Sequence, residues 1–521
     1  MNSSSVLPLV EKSTIFFIPF YMEGNSLMEP SGRLWHKEHE VLTDEKEGNA
    51  MYPYIMSFLQ GQMNSSAMAP HANMQIYSIA DSSQGAGEDN PIVNKFWNKF
   101  VQSEHTVEVG DLRNPKTLRF QFIKGKNKLL NPHLFIYQES GIGILSFCVS
   151  LTAEDASSTD LKLMNYHLHK LYHPLAKCVC LGLSTTGKES PDIRQVKENA
   201  YAQARNYIGE HKQHRAKSKE ESKEEGMEFS WNILSLCTML LNDMQGEVKL
   251  FSPSRIHLLT FATIDDSSDN VYTSNDIIPE LYSLSRIVND KYLLPISVIH
   301  PEDDILQAFE NVQVASCVEG SAFIAVMKKE NKEFFSNFRN LVSMRYYWIY
   351  LLVLVQRYSL LNIDRILTDL AYQGAVEEGF AKKHSQLLWQ YLHTIQEVKV
   401  RCHFTEISPY TQHNAFYAFC CDKLHVNTSY EEIDKKIKVL DRTISHELQL
   451  QNEEEMRAQE KRDQHMNLFL GILAALQAIG ILYQFLEALL FTHDYCAAWL
   501  YLALIALAVV LVLLIYRIGK K

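Results

Sequence analysis

The sequence predicts an α+β fold in three successive parts: an N-terminal cytosolic α/β domain, a long helical stalk and a C-terminal transmembrane hairpin of two helices. Three observations predict this order. Strand-like runs occur within residues 1–330, a long helical pattern of mixed charge follows residue 428, and two uncharged apolar runs lie near the C-terminus. A chain of 521 residues is long enough for two or three domains with at least one sizeable hydrophobic core.

The composition is that of an ordinary folded protein in a reducing compartment. Hydrophobic residues make up 46% of the chain, charged residues make up 21%, and the formal net charge is −11. This balance argues against direct binding of nucleic acid. The nine cysteines form no CxxC pair, so we expect buried free thiols. The first residues contain no basic stretch followed by an apolar core, which predicts no signal peptide and a cytosolic N-terminal domain.

Residues 1–330 are expected to form the α/β domain, which would sense a ligand or regulate the membrane part. Apolar runs predict strands at 13–20, at 133–151 (two strands around a turn at Glu139-Ser140-Gly141), within 248–264, and at 321–328. Capping signals predict helices at about 159–172 and 191–208. Segments rich in small or charged residues predict mobile loops near 60–90 and 210–228.

A cytosolic helical region is predicted at 331–428. Its helices are expected at about 333–371, 385–402 and 410–424. The apolar run at 346–355 is bounded by Arg345 and Arg357 and is too short to span a bilayer, so it predicts a buried core helix.

The stalk helix is predicted at 429–466. Ser429 and Glu432 match a capping box at its start, and an apolar stripe at helical spacing follows, formed by Ile433, Ile437, Leu440, Ile444 and Leu448. Two interpretations remain open: a solvated coiled-coil arm, or a stalk that transmits movement from the cytosolic domain to the membrane.

Two transmembrane helices are predicted, at 467–491 and 497–516, because each contains an uncharged apolar run of about 20 residues. The five residues between them force a tight antiparallel hairpin. Basic residues precede the first span and follow the second, which predicts two spans in the inner (plasma) membrane with both termini cytoplasmic. The basic residues are Arg457, Lys461, Arg462, Arg517, Lys520 and Lys521.

Polar and small residues recur along one side of the first span, whereas the second span has no amide or charge. The predicted pore-lining residues are Asn467, Ala474, Gln477, Gln484 and Glu487, and the predicted cytosolic approach consists of Glu453, Glu460 and Asp463. An alternative stays open, in which the glutamines form hydrogen bonds between helices and Glu487 lies at headgroup level.

A long cytosolic helix, a first span, a very short outer loop, a second span and a basic tail together resemble the CorA-like family of divalent-cation channels. The resemblance covers roughly residues 330–521. It implies a homo-oligomer of five chains whose first spans line a pore, with Mg²⁺ as the transported or regulatory ion. The family's Gly-Met-Asn motif is absent; this chain has EALLFTHDY at that place. Divergent CorA-like proteins encoded beside type III CRISPR systems also lack the motif, and that branch implies a nucleotide second messenger as the ligand in antiviral defence.

Catalytic motifs are not evident. His169 and His173 have a spacing that can hold a metal, but no third ligand at a matching offset accompanies them, so a structural role is favoured. The sequence has no Walker A, GxSxG or HExxH motif, and we expect neither an enzyme nor a cofactor.

The sequence therefore predicts a CorA-like ion channel that conducts cations and is gated by its cytosolic domain. Two alternatives are a membrane-tethered sensor or scaffold, whose hairpin is only an anchor, and a conventional magnesium transporter. The sequence assigns no residues to the ligand site.

Overall fold

A 14-residue strand, Leu9–Met22, lies at the centre of the sheet in the computed structural model of the chain. The structure describes residues 7–22, 29–32, 34–38, 51–60, 74–79, 91–111, 114–123, 130–138, 140–170, 178–184, 228–246, 248–251, 256–266, 272–288, 299–309, 311–335, 338–376 and 404–487, together with residues 393, 396, 499, 502, 503, 506, 507, 509 and 510.

The described strands and helices give a mixed α+β fold, which confirms the predicted fold class at this level. The strands are β1 (Leu9–Met22), β2 (Trp35–Lys37), β3 (Gln75–Ile79), β4 (Glu104–Asp111), β5 (Asn114–Phe122), β6 (His133–Tyr137), β7 (Ile142–Leu151), β8 (Cys178–Ser184), β9 (Glu228–Trp231), β10 (Val248–Leu250), β11 (His257–Asp265), β12 (Ile305–Phe309), β13 (Val312–Ser316) and β14 (Gly320–Met327). The helices are α1 (Pro53–Gln60), α2 (Pro91–Gln102), α3 (Ser158–Leu168), α4 (Ile233–Leu241), α5 (Ser274–Arg286), α6 (Pro301–Asp304), α7 (Lys332–Phe335), α8 (Phe338–Val376), α9 (Thr411–Lys423) and α10 (Val426–Glu487).

All the described strands belong to one sheet with the order β12-β13-β14-β11-β1-β7-β5-β4-β8-β9. β1 pairs with β7 on one side and with β11 on the other, both antiparallel, whereas β11 and β14 are parallel. The sheet branches at β7, whose first half pairs with β6 and whose last residues pair with β5. The turn between β6 and β7 falls where the sequence predicts it, and Gly141 there has φ +64, a left-handed conformation that favours glycine.

Helices cover both faces of this sheet, because both sides of β1 are apolar. Phe16 and Ile18 belong to a core that also contains residues of α2, α3, α4 and α5. Phe17, which points the opposite way, contacts the rings of Tyr347 and Tyr350 on α8. The run 346–355 is buried within α8, as predicted.

Several details differ from the sequence-based expectations. β3 lies inside the predicted 60–90 loop, where only a short Ile-Tyr pair marks it among small polar residues. α3 ends at Leu168, earlier than predicted. The predicted helices at 191–208 and 385–402 and the predicted loop at 210–228 lie almost wholly outside the described residues, as does most of the second span. The seven cysteines that the structure describes are all free.

The chain divides into two units, Met1–Tyr372 with Trp389–Ile437, and Gln373–Leu388 with Lys438–Lys521. The first unit contains the sheet, α9 and α8 as far as Tyr372, so these parts of the predicted helical region lie in the same unit as the sheet, whereas residues 373–388 belong to the second unit. α10 begins in the first unit, and its residues from Lys438 onward belong to the second.

His105 on β4 is a buried histidine in the hydrophobic core of the first unit, where its protonation would lower stability. Its ring accepts a hydrogen bond from the Trp231 Nε1–H at 3.1 Å, and its other nitrogen lies 2.9 Å from the Phe100 carbonyl. Burial lowers the pKa of His105 to about 4 from its ordinary value of 6.5. The unfolded chain therefore binds more protons than the folded chain between these values, so stability is lost as pH falls from about 6.5 towards 4.

We predict that His105→Phe weakens the acid sensitivity of the full chain in detergent. One such histidine contributes at most about 1.4 kcal/mol of unfolding free energy per pH unit. The measurement is the melting temperature between pH 7.5 and pH 4.5, with His446→Gln, at an exposed position on α10, as the control. The fall in melting temperature should be smaller for His105→Phe than for the control, and identical profiles would contradict the prediction.

Candidate functional site

The C-terminal half of α10 is apolar and exposed. Within the described residues it is the one helix long and apolar enough to cross a membrane, Gln449–Gln484. Ten large apolar side chains between positions 468 and 486 are between 41% and 68% exposed. Burial of one such side chain stabilises a protein by about 1.5–3 kcal/mol, so ten half-exposed side chains in water cost on the order of 10 kcal/mol. That is comparable to the whole unfolding free energy of a typical domain, so this segment needs apolar surroundings.

All eight residues predicted to line or approach a pore lie on α10. Glu453 and Ala474 are half-buried, and the other six are exposed: Glu460, Asp463, Asn467, Gln477, Gln484 and Glu487. Steps of three and four residues place Asn467, Ala474, Gln477 and Gln484 along one side of the helix. Glu487, three residues after Gln484, is the last residue of α10. The role of these residues in a pore stays a prediction.

The base of α10 is a tight corner in the first unit. α9 ends at Lys423, His425 adopts a left-handed conformation with φ +56, and α10 begins at Val426. The predicted capping box at Ser429 is therefore wrong as a helix start. The Ser429 hydroxyl instead donates a hydrogen bond to the His425 carbonyl at 2.8 Å, inside the first turn of the helix.

α8 forms polar contacts with this corner and with the first turns of α10. The guanidinium of Arg357 donates to the carbonyl of Leu424, which closes the C-terminal end of α9. Further along α8, Asp364 accepts from Lys436 on α10. Hydrogen bonds to Asp364 and Glu432 raise the pKa of Lys436, so the lysine is held in its charged form.

A buried amide connects α8 with α9. Gln356 Nε2 donates to the Tyr417 hydroxyl at 2.8 Å, and that hydroxyl donates to the Phe404 carbonyl at 3.2 Å. Burial raises the pKa of Tyr417, so the phenol keeps its proton. Loss of any partner in this chain would leave a buried polar group unsatisfied, which costs about 1–3 kcal/mol.

The opposite side of α8 is bonded to the sheet. The Tyr347 hydroxyl lies 2.8 Å from the Ser146 hydroxyl on β7, and the Tyr358 hydroxyl lies 2.6 Å from Nε2 of His257 on β11. Asn362 donates to the carbonyl of Ser140 in the β6–β7 turn at 2.6 Å. Within the first unit, α8 therefore joins the central strands to the start of α10.

Sequence reasoning missed this part of the site. Arg357 was noted only as the end of an apolar run, and its partner at Leu424 is 67 residues away. The position of Arg357 directly after a buried apolar run was the available signal. A charge at the edge of a buried helix needs a polar partner, so the sequence could have predicted a contact for Arg357 without identifying the partner.

The histidine pair considered for metal binding does not form a site among the described residues. His169 is the C-cap residue that follows α3, and its Nδ1 lies 2.9 Å from the Tyr166 carbonyl. Burial lowers its pKa to about 4. His173 lies outside the described residues. Within the part of the chain that the structure describes, no three metal-ligating side chains come together.

No family model, curated protein or solved structure matches the chain. The fold and the exposed helix define the class that follows from the structure alone: an α+β protein with a C-terminal helix able to span a membrane.

We predict that Arg357→Met loosens the corner between α9 and α10. The loss leaves the Leu424 carbonyl without its guanidinium, at a cost of about 1–3 kcal/mol. Hydrogen exchange of backbone amides at 424–430 should accelerate about tenfold or more, since 1.4 kcal/mol corresponds to a factor of ten. Arg442→Met, the same change at an exposed position on α10, is the control. Equal exchange in both variants would contradict the prediction.

Proposed function

We propose that the protein is a membrane ion channel of CorA-like architecture that conducts cations and is gated by its α+β domain. One observation carries the proposal. A single helix, α10, carries the polar positions of the apolar segment. The corner at which α10 begins is hydrogen-bonded to α8, and α8 is hydrogen-bonded to the β6–β7 turn of the sheet. The same element thus combines a feature expected of a pore with a connection expected of a gate.

The polar positions support a pore because they are costly against lipid. Gln477 and Gln484 lie seven residues apart in a segment whose other neighbours are mostly apolar. Amide groups in hydrocarbon lack water as a partner, so they are expected to face other helices or a water-filled path. In a ring of five chains, each position would be repeated five times around the axis. Glu487, Glu460 and Asp463 would then make acidic rings, which favour cations.

The contacts of α8 support gating. Any ligand that binds the sheet differently in two arrangements of α8 would change the balance between them, by as much as its affinities for the two differ. In this proposal the ligand is a nucleotide second messenger, as the CRISPR-associated branch of the resemblance suggests. Mg²⁺ is proposed as a transported or regulatory ion. The proposed topology has two spans in the inner membrane, with both termini in the cytoplasm.

The test is a measurement of cation-over-anion permeability in planar bilayers containing the purified full chain. We predict that Glu487→Gln lowers this ratio several-fold, because it removes one ring of carboxylates from the outer mouth. Glu454→Gln is the matched control, because it removes the same charge from α10 outside the predicted cytosolic approach. Glu454 lies about 100° around the helix axis from Glu453, which belongs to that approach.

Two results would contradict the proposal. An unchanged reversal potential in Glu487→Gln, together with measurable currents, would show that this carboxylate does not line the pore. Absence of current for every cation and every candidate ligand would show that the protein is not a channel and would favour the hairpin as an anchor.

A further inference from the structure

Charges of opposite sign lie on opposite sides of α10 just before its apolar segment. Glu460 and Asp463 carry the negative charges, while Lys461, Arg462 and His465 are the basic residues, and all five are exposed. At about 100° per residue, the middle of the basic set lies about 180° around the helix axis from the middle of the acidic pair. Residues so close in sequence therefore form two separate surfaces.

Each surface continues into the apolar segment with a different character. The side of Lys461 and His465 continues as large apolar side chains, Leu468, Ile472, Leu476 and Ile479. The side of Glu460 and Asp463 continues mostly as small or polar residues, Asn467, Gly471, Ala474, Gln477 and Ala478, with Leu470 and Ile481 among them. The basic set is thus aligned with the side of α10 that is best suited to hydrocarbon.

The basic set also lies at the right height for lipid headgroups. Its members precede Leu468 by three to seven residues, or about 4–11 Å along a helix. The headgroup layer outside the hydrocarbon is about 5–8 Å thick on each side, and long basic side chains add reach. Arg462 donates to the Ala458 carbonyl of its own helix, at 3.4 Å. Arg457, one turn further down, is instead engaged by Glu453 at 3.8 Å and is not part of the set.

We propose that Lys461, Arg462 and His465 bind the phosphates of anionic lipid headgroups, and that the side of α10 that they form with Leu468, Ile472, Leu476 and Ile479 faces lipid. Charge complementarity and continuity with the large apolar side select this partner. The proposal rests on membrane crossing by α10 but not on conduction, so a failed channel measurement leaves it intact. It also assigns the acidic side, with Glu460 and Asp463, to the interior of any assembly.

The test compares lipid retention by the full chain. Protein in mild detergent is equilibrated with equimolar phosphatidylglycerol and phosphatidylcholine, and the retained lipids are quantified by mass spectrometry. We expect enrichment of phosphatidylglycerol, and a fall of about fivefold or more in the triple variant Lys461→Gln/Arg462→Gln/His465→Gln, since each full charge near an anionic surface contributes about that factor. Arg517, Lys520 and Lys521 remain in every variant, so the enrichment falls without vanishing.

The control is Glu460→Gln/Asp463→Asn, which changes charges on the opposite side of the same turns and should keep or raise the enrichment. Unchanged enrichment in the triple variant would overturn the proposal. An equal loss in the control would overturn it too, because the basic set would then not be the determinant. Displacement of phosphatidylglycerol by millimolar inorganic phosphate would also overturn it, by making the partner a free anion. All variants alter exposed residues, and their melting temperatures verify folding.

Discussion

The burial of α8 is the constraint on which the rest of the described structure depends. Residues 347–355 of this helix are at most 1% exposed, so the helix must be covered on every side. The second face of the sheet covers one side, through Phe17 and Phe135, and α9 packs nearby through Phe416 against Tyr346. With α8 fixed in this way, the polar groups that follow its apolar run are placed against the start of α10.

The fold was predictable where a local pattern decides the structure. The largely apolar run at 13–20 predicts a strand, and β1 is buried on both faces there. The run 346–355 was assigned correctly because its length separates a core helix from a span. The start of α10 was not predictable, because Ser429 and Glu432 match a capping box while the true start follows a left-handed His425. Histidine is one of the residues enriched in this conformation, but the conformation is uncommon outside glycine, so a single histidine does not predict it.

The candidate site divides in the same way. The polar positions of α10 follow from spacing alone, since a helix converts steps of three and four into one side. The corner at its base depends on pairs 67 and 72 residues apart, Arg357 with Leu424 and Asp364 with Lys436. A single sequence contains no pattern that joins such distant residues. Helical periodicity can therefore identify a surface, whereas the contacts that fix the helix require the fold.

The connection between α9 and α10 helps to distinguish two roles for α10, a simple membrane anchor and a part of a gated channel. A membrane anchor needs only an apolar helix, and a flexible linker before it would serve equally well. Here α10 begins three residues after α9 ends, and the intervening carbonyl is bonded to α8. Rotation of the first turns of α10 would therefore disturb two contacts with α8, that of Leu424 with Arg357 and that of Lys436 with Asp364. A short, hydrogen-bonded join of this kind is useful if a change at the sheet must alter α10, and it is the reason why we propose gating rather than simple tethering.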